Sequence, residues 1–327
     1  KINTLSFNYE LFEIMLDEYE IRDLKYFPSI IQDKIRKELK YIYTCYLYLR
    51  NRSISINLVT SDKNNSKYEK YIFMMLMWLD ILGEYAEEHC TKNIKIYIYL
   101  CDKCKELPEM DEDIDVQHIN SGYSYAGCNE NSEITVYRKE EWFKVFIHET
   151  IHAFNLGFEL LDSDYINRKL YNEYPLKIDF YAPECYCESW AVIWNCIFNA
   201  FILEKVKFKN FYNKFIQFYN MECNFTNNQC QKISRHKRFD FNNLSHENNY
   251  KENTPIFSYF FLKRLLLLNM DNFLNYCDKN NSYSMMKFNK DKESLDNFLS
   301  LLVKKNIQYK NYSLNDKSAR MTLIDFE

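Results

Sequence analysis

Only 4 glycines and 5 prolines occur among 327 residues. So few leave little room for incidental glycine, and each one marks a backbone requirement. Gly122 and Gly127 bracket one loop, and Gly157 stands where a helix closes. No apolar run is long enough to span a bilayer. The nearest, from Tyr71 to Leu82, carries Asp80, and the run from Ile256 to Met270 is broken by Lys263 and Arg264. A membrane-inserted protein is therefore not expected. Charge of one sign is also missing: 42 basic and 46 acidic residues leave a net charge of −4. That balance gives no field to recruit nucleic acid or an anionic membrane. The 11 cysteines are odd in number and irregularly spaced, and no charged-then-apolar leader opens the segment from Lys1. A disulfide scaffold is excluded, and a reducing, cytoplasmic setting with reduced thiols is expected. Because the first residue is Lys rather than Met, a processed or further segment before it is left open.

What is present is a chain able to bury a large core, with 47% hydrophobic and 27% charged residues. That excludes disorder as its main state, and its length suits two packed lobes. Tyr (28) and Phe (25) are abundant, and with Lys, Asn and Ile they give a composition of AT-rich codons. Residues 1–50 are expected to be helical, with Ile30, Ile31, Ile35, Leu39, Ile42 and Tyr46 at helical spacing after Pro28-Ser29. Alternation predicts strands over 53–60 and 94–100, with a helix over 67–89 between them. An acidic loop over 106–115 precedes a hairpin, 121–126 and 133–137, turned by Gly127 to Asn131. A nearly all-apolar helix follows over 140–156, with Gly157 at its C′ position. Beyond it, helices are expected over 184–204, 206–222, 255–277 and 292–304. The lobe boundary is placed at 157, with 1–157 an α+β lobe and 158–327 a helical one.

One motif carries chemistry: His148-Glu149-Thr150-Ile151-His152, an HExxH sequence. Positions i and i+4 share one helix face, so both imidazoles can reach one tetrahedral zinc. Glu149, next to the first ligand, flanks the open position where it can take a proton from bound water. A chance match is expected in roughly one such sequence in a hundred. The flanks, Val145-Phe146-Ile147 and Ala153-Phe154, carry no charge. Two histidines and a glutamate on so apolar a helix are costly to bury without a partner.

On these residues the chain resembles the zincin metallopeptidases. The resemblance implies an α+β, zincin-like fold: a mixed-sheet N-terminal lobe carrying the HExxH helix, and a mainly helical C-terminal lobe supplying the third ligand. It also implies that 121–126 is an edge strand pairing with extended substrate backbone. Gly122 suits either a close backbone approach there or a turn. No histidine follows in the HExxHxxGxxH pattern, so the metzincin branch is excluded. Gluzincins use a glutamate on a downstream helix, and Glu184 and Glu188 stand four apart in Pro183-Glu184-Cys185-Tyr186-Cys187-Glu188-Ser189-Trp190-Ala191. Glu188 is preferred, because Glu188-Ser189-Trp190-Ala191 is similar to the ExxA pattern of several gluzincin families. An orienting acid is missing at Val192, with Asn155, Glu159 and Asp162 as substitutes. More narrowly, Val136 to Trp142, Glu188 to Ala191 and Thr254 to Tyr259 resemble metallopeptidases of large DNA viruses of eukaryotes.

The resemblance implies a peptidase with one catalytic Zn2+ held by His148, His152 and Glu188, which activates water for Glu149 as general base. Tyr259 is the preferred transition-state donor, over Tyr181, His246 and Arg264. Peptides or proteins are the expected substrates, with virion or capsid proteins as further partners and the host cytoplasm or virion as location. The alternative is a zincin-fold virion or structural protein with little turnover. Other signals are structural. Cys101-Asp102-Lys103-Cys104 lacks a second pair for zinc, although Cys90 or Cys128 could be recruited. Cys185 and Cys187 flank the ligand helix as softer competitors, with at least one in the core. Arg235 to Arg238 are expected in a solvated loop, and Met74, Met75, Met77 and Trp78 pack a helix.

Overall fold

The computed structural model describes residues 9–13, 26–110, 112–203, 208–241, 250–281, 284–303 and 316–326. The chain divides into two units. One runs through Cys104 and resumes over Asn120–Leu156; the other comprises Lys105–Ile119 and Gly157–Phe326.

The first unit is built on a mixed sheet. Its elements are β1 (Tyr9–Glu13), α1 (Ser29–Glu38), β2 (Tyr41–Leu49), β3 (Arg52–Thr60), α2 (Asn65–Gly83) and β4 (Asn93–Tyr99). The short helix α3 (Val116–Ile119) lies in the stretch belonging to the other unit. Then come β5 (Gly122–Ser124), β6 (Asn131–Val136) and α4 (Trp142–Ala153). The strand order is β1-β2-β3-β4-β6-β5, with β3, β4 and β6 parallel and β5 antiparallel at the edge. Successive strand residues face opposite sides, and both sides are covered. Ile42 joins Phe27, Ile31, Ile35 and Leu39 around α1, whereas the next residue, Tyr43, meets Tyr68 of α2 at 4.9 Å between ring centroids. Tyr71 of α2 stacks on Trp142 of α4 at 4.5 Å, so α2 and α4 share the side opposite α1. That double cover buries β3 along most of its length, although its sequence alternates apolar and polar residues through Asn57.

The α+β class is as expected, and the sheet differs in two places. Residues 9–13, expected to be helical, form β1, which pairs antiparallel with β2. Residues 41–49, expected to continue a helix, form β2. Ile42 and Tyr46 suit either period, and the deciding feature is the turn. Arg50 and Asn51 both have positive φ, 48° and 60°, and Leu49 pairs with Arg52 across them. Two left-handed residues in a two-residue loop are what a tight hairpin needs. Asn64 caps α2 by accepting from Lys67 N at 3.1 Å, and the helix stops at Gly83 rather than running on to 89.

The second unit is helical: α5 (Ser163–Glu173), α6 (Ala182–Leu203), α7 (Phe208–His236), a π-helical turn (Phe257–Leu262), α8 (Lys263–Leu268), α9 (Met270–Asn280) and α10 (Lys292–Leu301). α5 was not expected; Asp162 caps it, accepting from Tyr165 N at 2.9 Å. The stretch expected as one helix over 255–277 breaks at Asn269. The basic cluster is not a solvated loop. Arg235 and His236 end α7, His236 is buried with Nε2 3.1 Å from the Glu112 carbonyl, and Lys237 pairs with Asp113 at 3.1 Å. Cations at a helix C-terminus are favourable. The described helices include none long and apolar enough to cross a membrane.

Candidate metal centre

Every side chain of α4 is buried, so its polar residues are held in fixed places. The helix ends in a Schellman motif: Leu156 N donates to Ile151 O at 3.1 Å and Asn155 N to His152 O at 3.0 Å, with Asn155 at φ 59°. Asn155, not Gly157, therefore takes the C′ role. Trp78 of α2 donates its indole N–H to Thr150 Oγ1 at 2.7 Å, and the same hydroxyl reaches Phe146 O and Ile147 O at 2.8 Å. The middle residue of the motif thus anchors α4 to α2 and turns the histidine face away from that contact.

On that face His148 and His152 bring their Nε2 atoms to 2.9 Å, and both residues are 5% exposed. Two ring nitrogens so close need a shared proton or a shared cation between them. Glu149 is also buried, and its Oε2 accepts from Ser124 Oγ at 2.8 Å; the same hydroxyl lies 3.0 Å from the Glu149 carbonyl. Strand β5 can come this close because of Gly122. A Cβ there would stand 2.8 Å from Val145 Cγ1, 2.9 Å from Thr135 O and 3.3 Å from Glu149 Cγ. Of the two roles open to this glycine, close approach is the one observed. Behind Glu149, burial pushes the Tyr137 phenol well above its ordinary value; Arg138 acts the other way, and the Glu149 charge adds to the rise.

In the second unit, Glu184 occupies the first turn of α6 and Glu188 the next. Glu188 is buried, with Oε2 3.6 Å from Lys263 Nζ, also buried; Lys263 donates to Met321 O at 2.9 Å. Cys185 and Cys187 are both buried. Burial holds the Cys185 thiol well above its ordinary value, reinforced by Cys187 and Glu184, so it remains a protonated core residue. Cys187 Sγ is 3.5 Å from Glu159 Oε1. Of the residues named as substitutes for an orienting acid, Glu159 meets a thiol, Asp162 caps α5, and Asn155 closes α4.

Among the candidate donors, Tyr259 is buried on the π-helical turn, with its N–H donating to Pro255 O at 2.9 Å. Arg264 is fully buried and donates to Asn227 Oδ1 at 2.5 Å. Tyr181 is about half exposed. His246 lies outside the described residues.

Three contacts at these residues were not anticipated: Ser124 on Glu149, Trp78 on Thr150 and Lys263 on Glu188. Lys263 had a readable signal, since a cation inside an apolar run demands a buried counter-charge. Ser124 follows Gly122 by two residues and shares its face, but only the packing aims it at Glu149. The cysteines bring a correction: Cys90 and Cys128 form a disulfide, where reduced thiols were expected, and the other nine form none. Cys101 is buried and Cys104 exposed.

His148 and His152 belong to the side chains able to hold a metal ion, and no metal identity is fixed by them. Comparison with protein-family models, with curated proteins and with solved structures finds no match. The chemistry has to be read from the residues themselves.

Proposed function

We propose that this chain is a zinc-dependent peptidase of gluzincin type. The observation that carries the proposal is the buried face of α4. Two imidazole nitrogens converge at 2.9 Å, and the carboxylate between them in sequence is held by a hydroxyl from the sheet edge. Tetrahedral zinc at its usual Zn–N distance sets its nitrogens about 3.3 Å apart, so a small ring rotation admits it. Such a zinc would bring the pKa of a water toward ~7. Glu149 would take that water's proton and return it to the leaving amine. Ser124 would keep Glu149 oriented between the two transfers. The antiparallel edge strand β5 supports pairing with an extended peptide, and the order β3, α2, β4, β5, β6, α4 supports a zincin-like lobe.

The resemblance takes the third ligand from α6. Family resemblance favours Glu188, whereas the Lys263 ammonium 3.6 Å from its carboxylate favours Glu184, one turn earlier. Zinc content of wild type, Glu184→Ala and Glu188→Ala separates them: the ligand's variant loses one equivalent and the other retains it. Glu149→Gln is expected to keep its zinc and lose peptide cleavage by at least ~100-fold. Equal cleavage by wild type and Glu149→Gln would end the peptidase assignment. A wild type that binds zinc and cleaves nothing in a peptide library would favour the structural-protein alternative.

A further inference from the structure

Between α2 and β4 the chain turns through Glu87, His89 and Cys90, and Cys128 approaches from the β5–β6 loop. One carboxylate oxygen, one imidazole nitrogen and two sulfurs lie there within 4.8 Å of one another. The sulfurs are joined as a disulfide, and His89 Nε2 is 3.5 Å from Glu87 Oε2. Cys90 is buried, Cys128 is half-buried, and Glu87 and His89 face solvent.

The segments carrying these four groups are fixed by backbone hydrogen bonds. Cys90 N donates to Glu87 O at 3.0 Å, Thr91 N to Asn129 O at 2.7 Å, and Asn93 N to Glu130 O at 2.9 Å. The buried Arg52 guanidinium donates to the carbonyls of Glu87 at 2.9 Å and Cys90 at 3.3 Å. A backbone held this way stays in place when the S–S bond breaks, so the two sulfurs need only swing apart to the ~3.8 Å that two thiolates on one tetrahedral zinc require.

We propose that Glu87, His89, Cys90 and Cys128 form a second zinc site when the cysteines are reduced, and that the disulfide is its closed form. Two thiolates, an imidazole and a carboxylate make a four-donor set suited to a borderline-soft, tetrahedral cation. A disulfide sulfur is not a comparable ligand, so occupancy follows redox state. A thiol reductant supplies two electrons and two protons, converting the disulfide to two thiols and itself becoming a disulfide. Each cysteine thiol then loses its proton as its sulfur bonds zinc, so loading releases two protons. Exchange with a small disulfide runs the sequence backwards and expels the metal. None of this depends on the proposed peptidase site.

Cobalt(II) tests the proposal on the full chain, because thiolate ligands give it a near-ultraviolet charge-transfer band that histidine and carboxylate ligands do not. The chain is reduced with a phosphine until all 11 thiols titrate, desalted without oxygen and loaded with cobalt. The band should appear, and should be missing from chain loaded with its disulfide intact and from Cys128→Ser. His89→Ala, a change at an exposed residue, should weaken cobalt binding at that band by at least about tenfold. A fully reduced chain without the band overturns the proposal. So does a band of equal intensity in the disulfide form, a comparison that needs no mutant to fold. Unchanged affinity in His89→Ala removes histidine from the set and overturns the four-ligand site.

Discussion

Gly122 is the residue on which the approach of β5 to α4 depends. Its missing side chain leaves room for Val145 and the Thr135 carbonyl on either side, and two residues on Ser124 reaches Glu149. Gly122→Ala should therefore cost about 1–3 kcal/mol through overpacking against a rigid helix and strand. Urea unfolding measures this, and a variant as stable as wild type would show that the strand has room to spare. Elsewhere the scarcity of glycine is met by other residues. Arg50, Asn51, Thr91, Glu141, Asn155 and Arg238 all have positive φ, whereas Gly127 does so among the glycines. Asparagine tolerates that region better than most residues, and the others are held there by the elements they join.

Among the elements, the β2–β3 hairpin shows this most directly. Arg50 is held in its turn by ion pairs to Asp80 at 2.7 Å and Glu84 at 2.6 Å, while Asn51 supplies only its backbone to the turn. Asn51→Gly should raise stability by a few tenths to about 1 kcal/mol by relieving the left-handed conformation. A loss of stability in denaturant would mean that the Asn51 side chain matters. The π-helical turn has a pH-dependent start. Glu252 Oε2 accepts from Phe257 N and Tyr250 Oη, both at 2.9 Å. Burial nevertheless pushes its carboxyl up to about 7 from an ordinary 4.5. Between those values the folded state holds a proton that the unfolded state has released, so this group's contribution to stability falls as pH rises through the window and levels off above it. Glu252→Gln should therefore be more stable relative to wild type at pH 8 than at pH 5. Parallel pH dependences in the two proteins would sink that assignment.

At the scale of the whole molecule, the segment 316–326 ties the helical unit together. Glu222, fully buried with its carboxyl raised by burial, accepts from Leu323 N at 3.0 Å, Ile324 N at 2.8 Å and the Thr322 hydroxyl. Gln229 donates to Arg320 O at 2.6 Å, and Lys263, the neighbour of Glu188, donates to Met321 O. Cutting the chain after residue 315 would take these partners away from a buried acid and a buried base. The expected loss is about 3–5 kcal/mol, read by denaturant unfolding of the truncated chain; a loss under about 1 kcal/mol would show the segment to be an accessory.

The sequence by itself determined what depends on neighbours a few residues apart. Strands 53–60 and 94–100, the hairpin before α4, and the HExxH helix are legible because alternation, turn residues and i,i+4 spacing are local properties. Glu149 and the two histidines belong to this class, since one helical turn sets their relation. Residues 41–49 do not, because Ile42 and Tyr46 satisfy both periods, and only pairing with β1 and β3 chooses the strand. Tertiary structure alone set Ser124 on Glu149, Lys263 beside Glu188 and Cys90 against Cys128. Each of these pairs spans 25 or more residues, and no local periodicity encodes which distant groups burial will bring into contact.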